Sequence, residues 1–219
     1  MTATRRVLLS GATSGIGQEV ARILRERGDE LWVVVRDAAR ADPRDHAIVA
    51  DLAEPVELTA AELPAELDAV VHSAGVVMLD AIADAAAGDW ERQFRVNLLA
   101  PAMLTQAALP ALRRSRGTVV FVNSSAGLRV SAGWSAYAAS KYGLRALADG
   151  LREEEKLLRV TSVFPGRTAT PMQESVHAQE GSTYDADQWI RPATVAQKVV
   201  EAIDLPGDSA ISEMVIRPR

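Results

Sequence analysis

Residues 7–17 read VLLSGATSGIG, a short apolar run followed by glycines at positions 11, 15 and 17. The apolar run predicts a buried β-strand, and the apolar residues of 16–24 recur at the spacing of a helix that ends at Gly28. Each glycine has a physical reason in such a place. Gly11 permits a tight turn, Gly15 lets the backbone approach a pyrophosphate, and Gly17 lets the helix pack close to the sheet.

The predicted helix would present free N–H groups and the positive end of its dipole beside these glycines. Three glycines alone would also suit a simple strand-to-helix turn. Because they stand between a strand and a helix, the segment predicts a dinucleotide-binding turn.

Short apolar runs recur along the rest of the chain, at residues 31–35, 47–50, 69–71, 118–122, 160–164 and 211–216. Helical patterns lie between most of them, the clearest at 90–112 and 135–158. Continuous apolar strands that alternate with helices are typical of a parallel sheet covered on both faces. We therefore predict a single α/β domain over residues 1–219, a doubly wound Rossmann fold with a seven-stranded parallel sheet and helices on both faces.

Two connections of this predicted fold depart from the regular alternation. The crossover from Arg36 to His46 is too short for a full helix. The least regular segment is 166–188, and a loop of that length inside a compact domain is usually functional. We predict it to be the substrate loop.

The composition excludes several classes of protein. With 48% hydrophobic residues the chain can bury a core, and a formal charge of −5 offers no general attraction to nucleic acids or anionic membranes. The absence of cysteine excludes disulfides and thiolate sites, and the three histidines form no ligand pair, so we expect no metal site and incidental or surface histidines. No apolar run is long enough for a membrane span and the N-terminus is polar, so we expect a cytoplasmic protein that binds neither nucleic acid nor membrane.

Residues 10–17, SGATSGIG, closely resemble the TGxxxGxG cofactor fingerprint of the short-chain dehydrogenase/reductase family, with serine in place of the leading threonine. The resemblance extends over essentially the whole chain. It implies a nicotinamide dinucleotide bound by the turn, through Gly11, Thr13, Ser14, Gly15, Ile16 and Gly17.

Further residues match the adenosine side of that family's cofactor site. Members that prefer NAD would be expected to carry an acidic residue where Val35 stands, whereas here Arg36 follows, and a guanidinium suits the 2′-phosphate of NADP. We therefore predict NADP(H) over NAD(H), although Arg36 could be an ordinary surface residue and Asp37 weakens the inference. The resemblance also assigns the dinucleotide to Asp51, Leu52, Ala74 and Gly75, while His72 and Ser73 depart from the family's paired asparagines.

Four residues match the family's catalytic set. Tyr137 and Lys141 are four apart in a helical pattern and project from one face, and Ser124 lies thirteen residues before Tyr137 at the end of a predicted strand. Asn97 stands inside a helical pattern, where asparagine is disfavoured. The resemblance implies that Asn97, Ser124, Tyr137 and Lys141 are catalytic.

The chemistry explains why these residue types belong together. Hydride transfer to a ketone leaves a developing alkoxide, which needs a proton and a hydrogen-bond donor. We expect Tyr137 to act as acid and base, with its pKa lowered by Lys141, and Ser124 to polarise the carbonyl. Lys141 would also bind the nicotinamide ribose, and Asn97 would hold a water that relays protons from Lys141.

Segment 164–172, FPGRTATPM, resembles the family's PGxxxT stretch beside the nicotinamide, which adds Pro165, Gly166, Thr168 and Thr170 to the predicted cofactor residues. The substrate would be bordered by an apolar set, Leu128, Val130, Trp134, Met172, Tyr184 and Trp189. We predict that Ser124, Trp134, Tyr137 and Met172 contact a small apolar carbonyl or alcohol. Arg129 and Arg167 argue otherwise if either points inward.

In this family the two long helices, here 90–112 and 135–158, form the main subunit interface, so the resemblance implies a homodimer or homotetramer. The alternative is that both merely cover the sheet. Two other functions stay open: a non-catalytic dinucleotide-binding regulator or scaffold, and an epimerase or dehydratase. The first would be expected to have lost Tyr137 or Lys141, and for the second the segment after the last predicted strand leaves little room for a substrate domain.

Overall fold

The computed structural model describes residues 4–219 and contains a seven-stranded sheet in the order β3-β2-β1-β4-β5-β6-β7. Every neighbouring pair of strands is parallel. The strands are β1 (Arg6–Ser10), β2 (Glu30–Val35), β3 (His46–Val49), β4 (Ala69–His72), β5 (Thr118–Val122), β6 (Arg159–Pro165) and β7 (Glu213–Ile216). The predicted fold class is confirmed.

Six α-helices pack around this sheet in the part of the chain that the structure describes. They are α1 (Gly15–Glu26), α2 (Ala87–Phe94), α3 (Ala100–Ser115), α4 (Ser135–Glu154), α5 (Pro171–Gln179) and α6 (Pro192–Asp204). The crossover between β2 and β3 holds only a 3₁₀ turn, Ala38–Arg40, in agreement with its predicted shortness.

Two apolar layers hold the helices to the two faces of the sheet. Because successive strand residues point to opposite faces, Leu9 joins the layer shared with α1 and α6, whereas Leu8 joins the layer shared with α3 and α4. From β1 the sheet grows through β2 and β3 on one side and through β4 to β7 on the other. This reversal opens a crevice at the carboxyl ends of β1 and β4, where open α/β sheets bind their ligands.

The secondary structure differs from the sequence prediction in two regions, 90–112 and 166–188. The predicted helix 90–112 is divided into α2, a π-helical turn (Arg95–Leu99) and α3. Segment 166–188 is not a continuous loop, because it contains α5. That helix starts where Thr170 caps it by accepting from the Gln173 N–H at 3.3 Å and where Pro171 takes the first helical position.

The prediction of incidental or surface histidines is wrong for His72 and His177, which are both buried. His72 lies in β4 beneath α3, where its Nε2 is 2.8 Å from Thr105 Oγ1 and its ring stacks on Phe121. Its Nδ1 has no hydrogen-bond partner among residues 4–219. Burial of this kind disfavours the charged imidazolium and lowers the pKa of His72 to about 3.

This burial predicts an acid-sensitive core. As the pH falls below 6.5, the ordinary pKa of His72, the unfolded chain takes up a proton that the native protein resists until about pH 3. The free energy of unfolding therefore falls across that window. In His72→Asn the fall should be shallower by up to roughly 1.4 kcal/mol per pH unit, measured by urea unfolding at several pH values.

His46→Asn is the matched control, since His46 is exposed in β3 and should leave the pH dependence unchanged. Parallel pH dependences for the wild type and His72→Asn would show that His72 does not cause the loss.

Candidate active site

A cavity of about 510 Å³ occupies the crevice at the carboxyl ends of β1, β4, β5 and β6. Nearly all the predicted cofactor residues line it: Gly11, Thr13, Ser14, Gly15, Ile16, Arg36, Asp51, Leu52, Ala74, Gly75, Tyr137, Lys141, Pro165, Gly166, Thr168 and Thr170. The predicted substrate residues, Ser124, Trp134, Tyr137 and Met172, line the same cavity. Two predicted residues, Gly17 and Asn97, do not.

In the glycine turn, the backbone of Gly11 lies very close to the segment after β4 on one side and to the start of α1 on the other. Gly11 has φ +80°, and a Cβ on it would lie 2.6 Å from the main-chain nitrogen of Ala74. A Cβ on Gly17 would lie 2.2 Å from the carbonyl oxygen of Gly11. Gly17 thus packs α1 against the turn, the packing role expected of it, and makes no part of the cavity wall.

The first turn of α1 is open toward the cavity. Ser14, the residue before the helix, makes no capping bond with its side chain, and the first turn holds no acidic residue. Backbone N–H groups at this end therefore lack intrahelical partners and face the cavity with the positive end of the helix dipole. Such an end fits the phosphates of a dinucleotide.

Ser124, Tyr137 and Lys141 meet at the other end of the cavity. Ser124 is the second residue after β5. Its Oγ accepts from the Ala126 N–H at 3.1 Å, so its own O–H is left to donate. Tyr137 and Lys141 lie on the first turns of α4 and are almost fully buried. Lys141 Nζ lies 5.8 Å from the centre of the Tyr137 ring and donates to the Val122 carbonyl at 3.3 Å.

Burial dominates the ionisation of this pair. It raises the pKa of Tyr137, against a smaller lowering by a hydrogen bond with Ser124. It also lowers the pKa of Lys141 to about 8, because the ammonium loses its hydration. The lowering of the tyrosine pKa that the sequence led us to expect is therefore absent from the protein alone.

Asn97 lies in the π-helical turn and is completely buried. Its amide accepts from the Val76 N–H at 2.9 Å and donates to the Val76 carbonyl at 2.9 Å and to Ser140 Oγ at 3.0 Å. The side chain thus ties the segment after β4 to α4. With its donors and acceptor engaged, the side chain does not face the cavity in the way that the expected water-holding role requires.

Asn123 is a site residue that sequence reasoning missed. It is buried, its Oδ1 accepts from the Ser124 N–H at 2.8 Å, and its Nδ2 donates to the Lys141 carbonyl at 3.1 Å. It therefore links the end of β5 to the helix that carries Tyr137 and Lys141, and positions Ser124 beside them. Its signal in the sequence is weak: a polar residue that interrupts an apolar run just before the serine.

The apolar wall differs in part from the predicted set. Trp134 and Met172 line the cavity together with Val76, Val77 and Val176, whereas Leu128, Val130, Tyr184 and Trp189 do not. Tyr184 and Trp189 pack instead on the ring of His177.

Arg167 reaches the cavity, but its charge is balanced. Its guanidinium lies 2.7 Å from the Glu180 carboxylate and between the rings of Trp134 and Trp189. The same end of α5 is fastened at Gln179, whose Oε1 accepts from the Leu79 N–H at 2.8 Å. Helix α5 thus covers the cavity and is held to its rim by polar contacts.

The adenosine end of the cavity carries two guanidinium groups. Arg36 and Arg40 both line it, and neither forms an ion pair with any residue of 4–219. Asp37 turns its carboxylate to its own 3₁₀ turn, where it accepts from the Ala39 N–H at 2.9 Å. Arg40 was not singled out from the sequence, because its position depends on the path of that turn.

Among residues 4–219, no three histidine or acidic side chains cluster in a way that could hold a metal ion. Within the same range, no helix has the length and apolar character needed to cross a bilayer.

Comparison with known proteins gives consistent similarities. A family model described as short chain dehydrogenase matches residues 5–181. The chain is 27% identical over 234 residues to an oxidoreductase of Staphylococcus saprophyticus, an alignment that covers 97% of this chain and 95% of that protein. It is 31% identical over 186 residues to an oxidoreductase of Schizosaccharomyces pombe, with coverage of 80% and 75%.

Solved structures are similar over nearly their full length. A short-chain dehydrogenase of Escherichia coli, solved with NADPH, superimposes with a TM-score of 0.85 at 26% identity, over 97% of this chain and 95% of that one. An alcohol dehydrogenase of the archaeon Thermococcus sibiricus, solved with 5-hydroxy-NADP, gives a TM-score of 0.85 at 20% identity, over 99% and 97%. At the lower identity the likeness shows the fold alone.

Proposed function

Since the chain belongs to the short-chain dehydrogenase family, we propose that this oxidoreductase uses NADP(H) to interconvert a carbonyl and a secondary alcohol on a small, apolar substrate. The observation that carries the proposal is the meeting of Ser124, Tyr137 and Lys141 in the same cavity as the glycine turn. We also propose that residues 1–219 act as one nucleotide-binding domain with its substrate segment at 166–188. A cytoplasmic location stays a prediction from the sequence.

The residues present fit a nicotinamide dinucleotide. Glycines stand where a Cβ would collide with backbone, the open end of α1 offers N–H donors, and two guanidiniums lie at the adenosine end. When bound in its reduced form, this cofactor supplies the hydride that the carbonyl carbon accepts. Thr168, Thr170 and Lys141 would hold its nicotinamide half.

The chain's own residues handle the proton. As the carbonyl oxygen gains charge, Tyr137 gives it the phenolic proton, and the raised pKa of Tyr137 keeps that proton available at neutral pH. The O–H of Ser124, whose Oγ accepts from the Ala126 N–H, turns to donate to the same carbonyl oxygen and orients it. Lys141, whose pKa of about 8 keeps it largely charged at pH 7, stabilises the phenolate that remains.

The proton-relay role proposed for Asn97 needs revision. Because its side chain is engaged with Val76 and Ser140, we assign it to positioning α4 against the segment after β4.

Tyr137→Phe tests the catalytic proposal. Loss of the proton donor should lower kcat/KM for carbonyl reduction by at least about 100-fold, measured by NADPH absorbance, because general acid catalysis contributes on that scale. NADPH affinity, measured by fluorescence titration, should stay within about twofold, since the phenolic oxygen is lost without any change to the glycine turn.

Tyr142→Phe is the matched control, because it removes a phenolic oxygen from the same helix outside the cavity and keeps the exposed aromatic ring. If Tyr137→Phe kept its turnover, the proposed acid would be wrong. If the wild type bound NADPH but reduced no member of a broad carbonyl panel, the alternative of a non-catalytic regulator or scaffold would be favoured.

The preference for NADP(H) is proposed from Arg36 and Arg40. Two guanidiniums without carboxylate partners among residues 4–219 suit the 2′-phosphate, which takes forked, charge-assisted hydrogen bonds. Asp37 does not compete for the adenosine ribose while it caps its own turn.

Arg36→Ala should lower kcat/KM with NADPH by about tenfold, the scale of a charge-assisted hydrogen bond, and change kcat/KM with NADH by less than about twofold. Arg129→Ala removes the same charge from an exposed position outside the cavity and should change neither value. A wild-type preference for NADH would contradict the role given to Arg36.

We propose that the chain forms a homodimer or homotetramer through α3 and α4. Three large apolar or aromatic side chains stay exposed here: Leu99 at the end of the π-helical turn, Met103 on α3 and Tyr142 on α4. Leu98 packs on Gly143, where a Cβ would lie 2.8 Å from it, so these side chains belong to one surface. A second copy of the chain is the occupant that we propose for it.

Light scattering tests this assembly, and the mass expected for the wild type is two or four times the 23.5 kDa of one chain. Met103→Glu should shift the mass toward the monomer, because it buries a charge at the proposed interface. A monomeric wild type would contradict the proposal.

A further inference from the structure

Gln173 lies on the first turn of α5, is almost fully buried and lines the cavity beside Met172 and Val176. We propose that its side chain donates a hydrogen bond to a second, uncharged oxygen of the substrate, close to the reacting carbonyl. The substrates would then be dicarbonyl or hydroxycarbonyl compounds. This inference rests on the proposed carbonyl chemistry and narrows its substrate class.

The orientation of the Gln173 amide follows from its neighbour one turn along the helix. Nδ1 of His177 lies 2.8 Å from the main-chain oxygen of Gln173. A carbonyl oxygen only accepts, so Nδ1 carries the hydrogen and donates it. The hydrogen on Nδ1 is thereby placed by a main-chain oxygen whose position the helix fixes.

The side-chain nitrogen Nε2 of Gln173 lies 3.0 Å from the same Nδ1. Nε2 and Nδ1–H are both donors and cannot hydrogen-bond to each other. Rotating the Gln173 side-chain amide by 180° exchanges Nε2 and Oε1, so that Oε1 accepts from Nδ1–H. Nδ1–H then serves both oxygens of Gln173 in a three-centre bond. The amide consequently turns its two N–H donors away from His177.

The two N–H groups of the Gln173 side-chain amide have no acceptor in the described part of the protein. Gln173 makes no further side-chain hydrogen bond within residues 4–219. An N–H group that a ligand covers without offering an acceptor costs free energy, so a substrate with an acceptor at this place would be bound preferentially. Without such an oxygen a ligand would leave the donors unsatisfied.

The wall around Gln173 argues for an uncharged acceptor. Val76, Val77, Val176 and Met172 are apolar, and the charge of Arg167 is balanced by Glu180. Arg92 also lines the cavity, but it is exposed to solvent whereas Gln173 is buried. A carboxylate would lose its hydration there without gaining a counter-ion from Arg167. A carbonyl or hydroxyl oxygen loses much less.

Gln173→Met, which keeps the length of the side chain and removes its donors, tests the proposal with two matched probes. The probes are 1-phenylpropan-1-one and 1-phenylpropane-1,2-dione, and each variant is compared with the wild type on the same probe. For the dione, kcat/KM should fall about five- to tenfold, the scale of one hydrogen bond, and for the monoketone it should stay within about twofold. Glu174→Gln, an exposed change on the same helix, is the control.

Gln173→Glu distinguishes a donor from an acceptor, because its carboxylate offers no N–H. It should lose dione activity as Gln173→Met does. Full dione activity in Gln173→Glu, equal losses on both probes, or no loss on either would overturn the proposal.

A binding measurement separates this inference from the proposed function. Calorimetry of the dione with the NADP⁺-bound protein should show weaker binding in Gln173→Met than in the wild type, whether or not turnover occurs. No NADPH oxidation with any carbonyl would count against the proposed function, whereas unchanged or absent dione binding would count against the role of Gln173.

Discussion

The close approach of the β1–α1 turn to the end of β4 is the constraint on which the rest of the site depends. A Cβ at Gly11 or Gly17 would lie between 2.2 and 2.6 Å from backbone atoms, nearer than any real contact allows. Because Gly11 and Gly17 have no side chains, α1 can begin close to the end of β1, and its open end faces the crevice between β1 and β4. Gly11 therefore forms part of the cavity wall and Gly17 packs the open end of α1 against the turn, while Ser124, Tyr137 and Lys141 reach the same cavity from the end of β5 and from α4.

Much of this arrangement could be predicted from the sequence, because it depends on local patterns. Apolar runs predicted the strands, and the order of strands and helices predicted the parallel sheet. The spacing of Tyr137 and Lys141 on one helix face depends on helix geometry alone, so both lie together at the cavity as expected.

What the sequence did not reveal depends on contacts between distant segments. The π-helical turn around Asn97 forms where its amide joins Val76 to Ser140, and no propensity records such a bond. The link from Asn123 to the Lys141 carbonyl spans 18 residues, and the burial of His72 depends on the helix that covers it. Helix α5 was missed because its Thr-Pro start was interpreted as part of an irregular loop, although a capping threonine followed by proline is a signal for a helix start.

Helix α5, which covers the cavity, is attached at its outer end by polar contacts alone among the side-chain contacts described above. Its outer end is held by the Glu180–Arg167 ion pair and by the Gln179–Leu79 hydrogen bond, both exposed to solvent. Water and dissolved ions compete with exposed polar contacts of this kind, whereas the apolar layers on the two faces of the sheet exclude water. These polar contacts are therefore the part of the cavity wall that dissolved salt weakens first, whereas Tyr137 and the strands rest on buried packing. A rise in salt concentration should loosen the outer end of α5 before it disturbs the rest of the cavity.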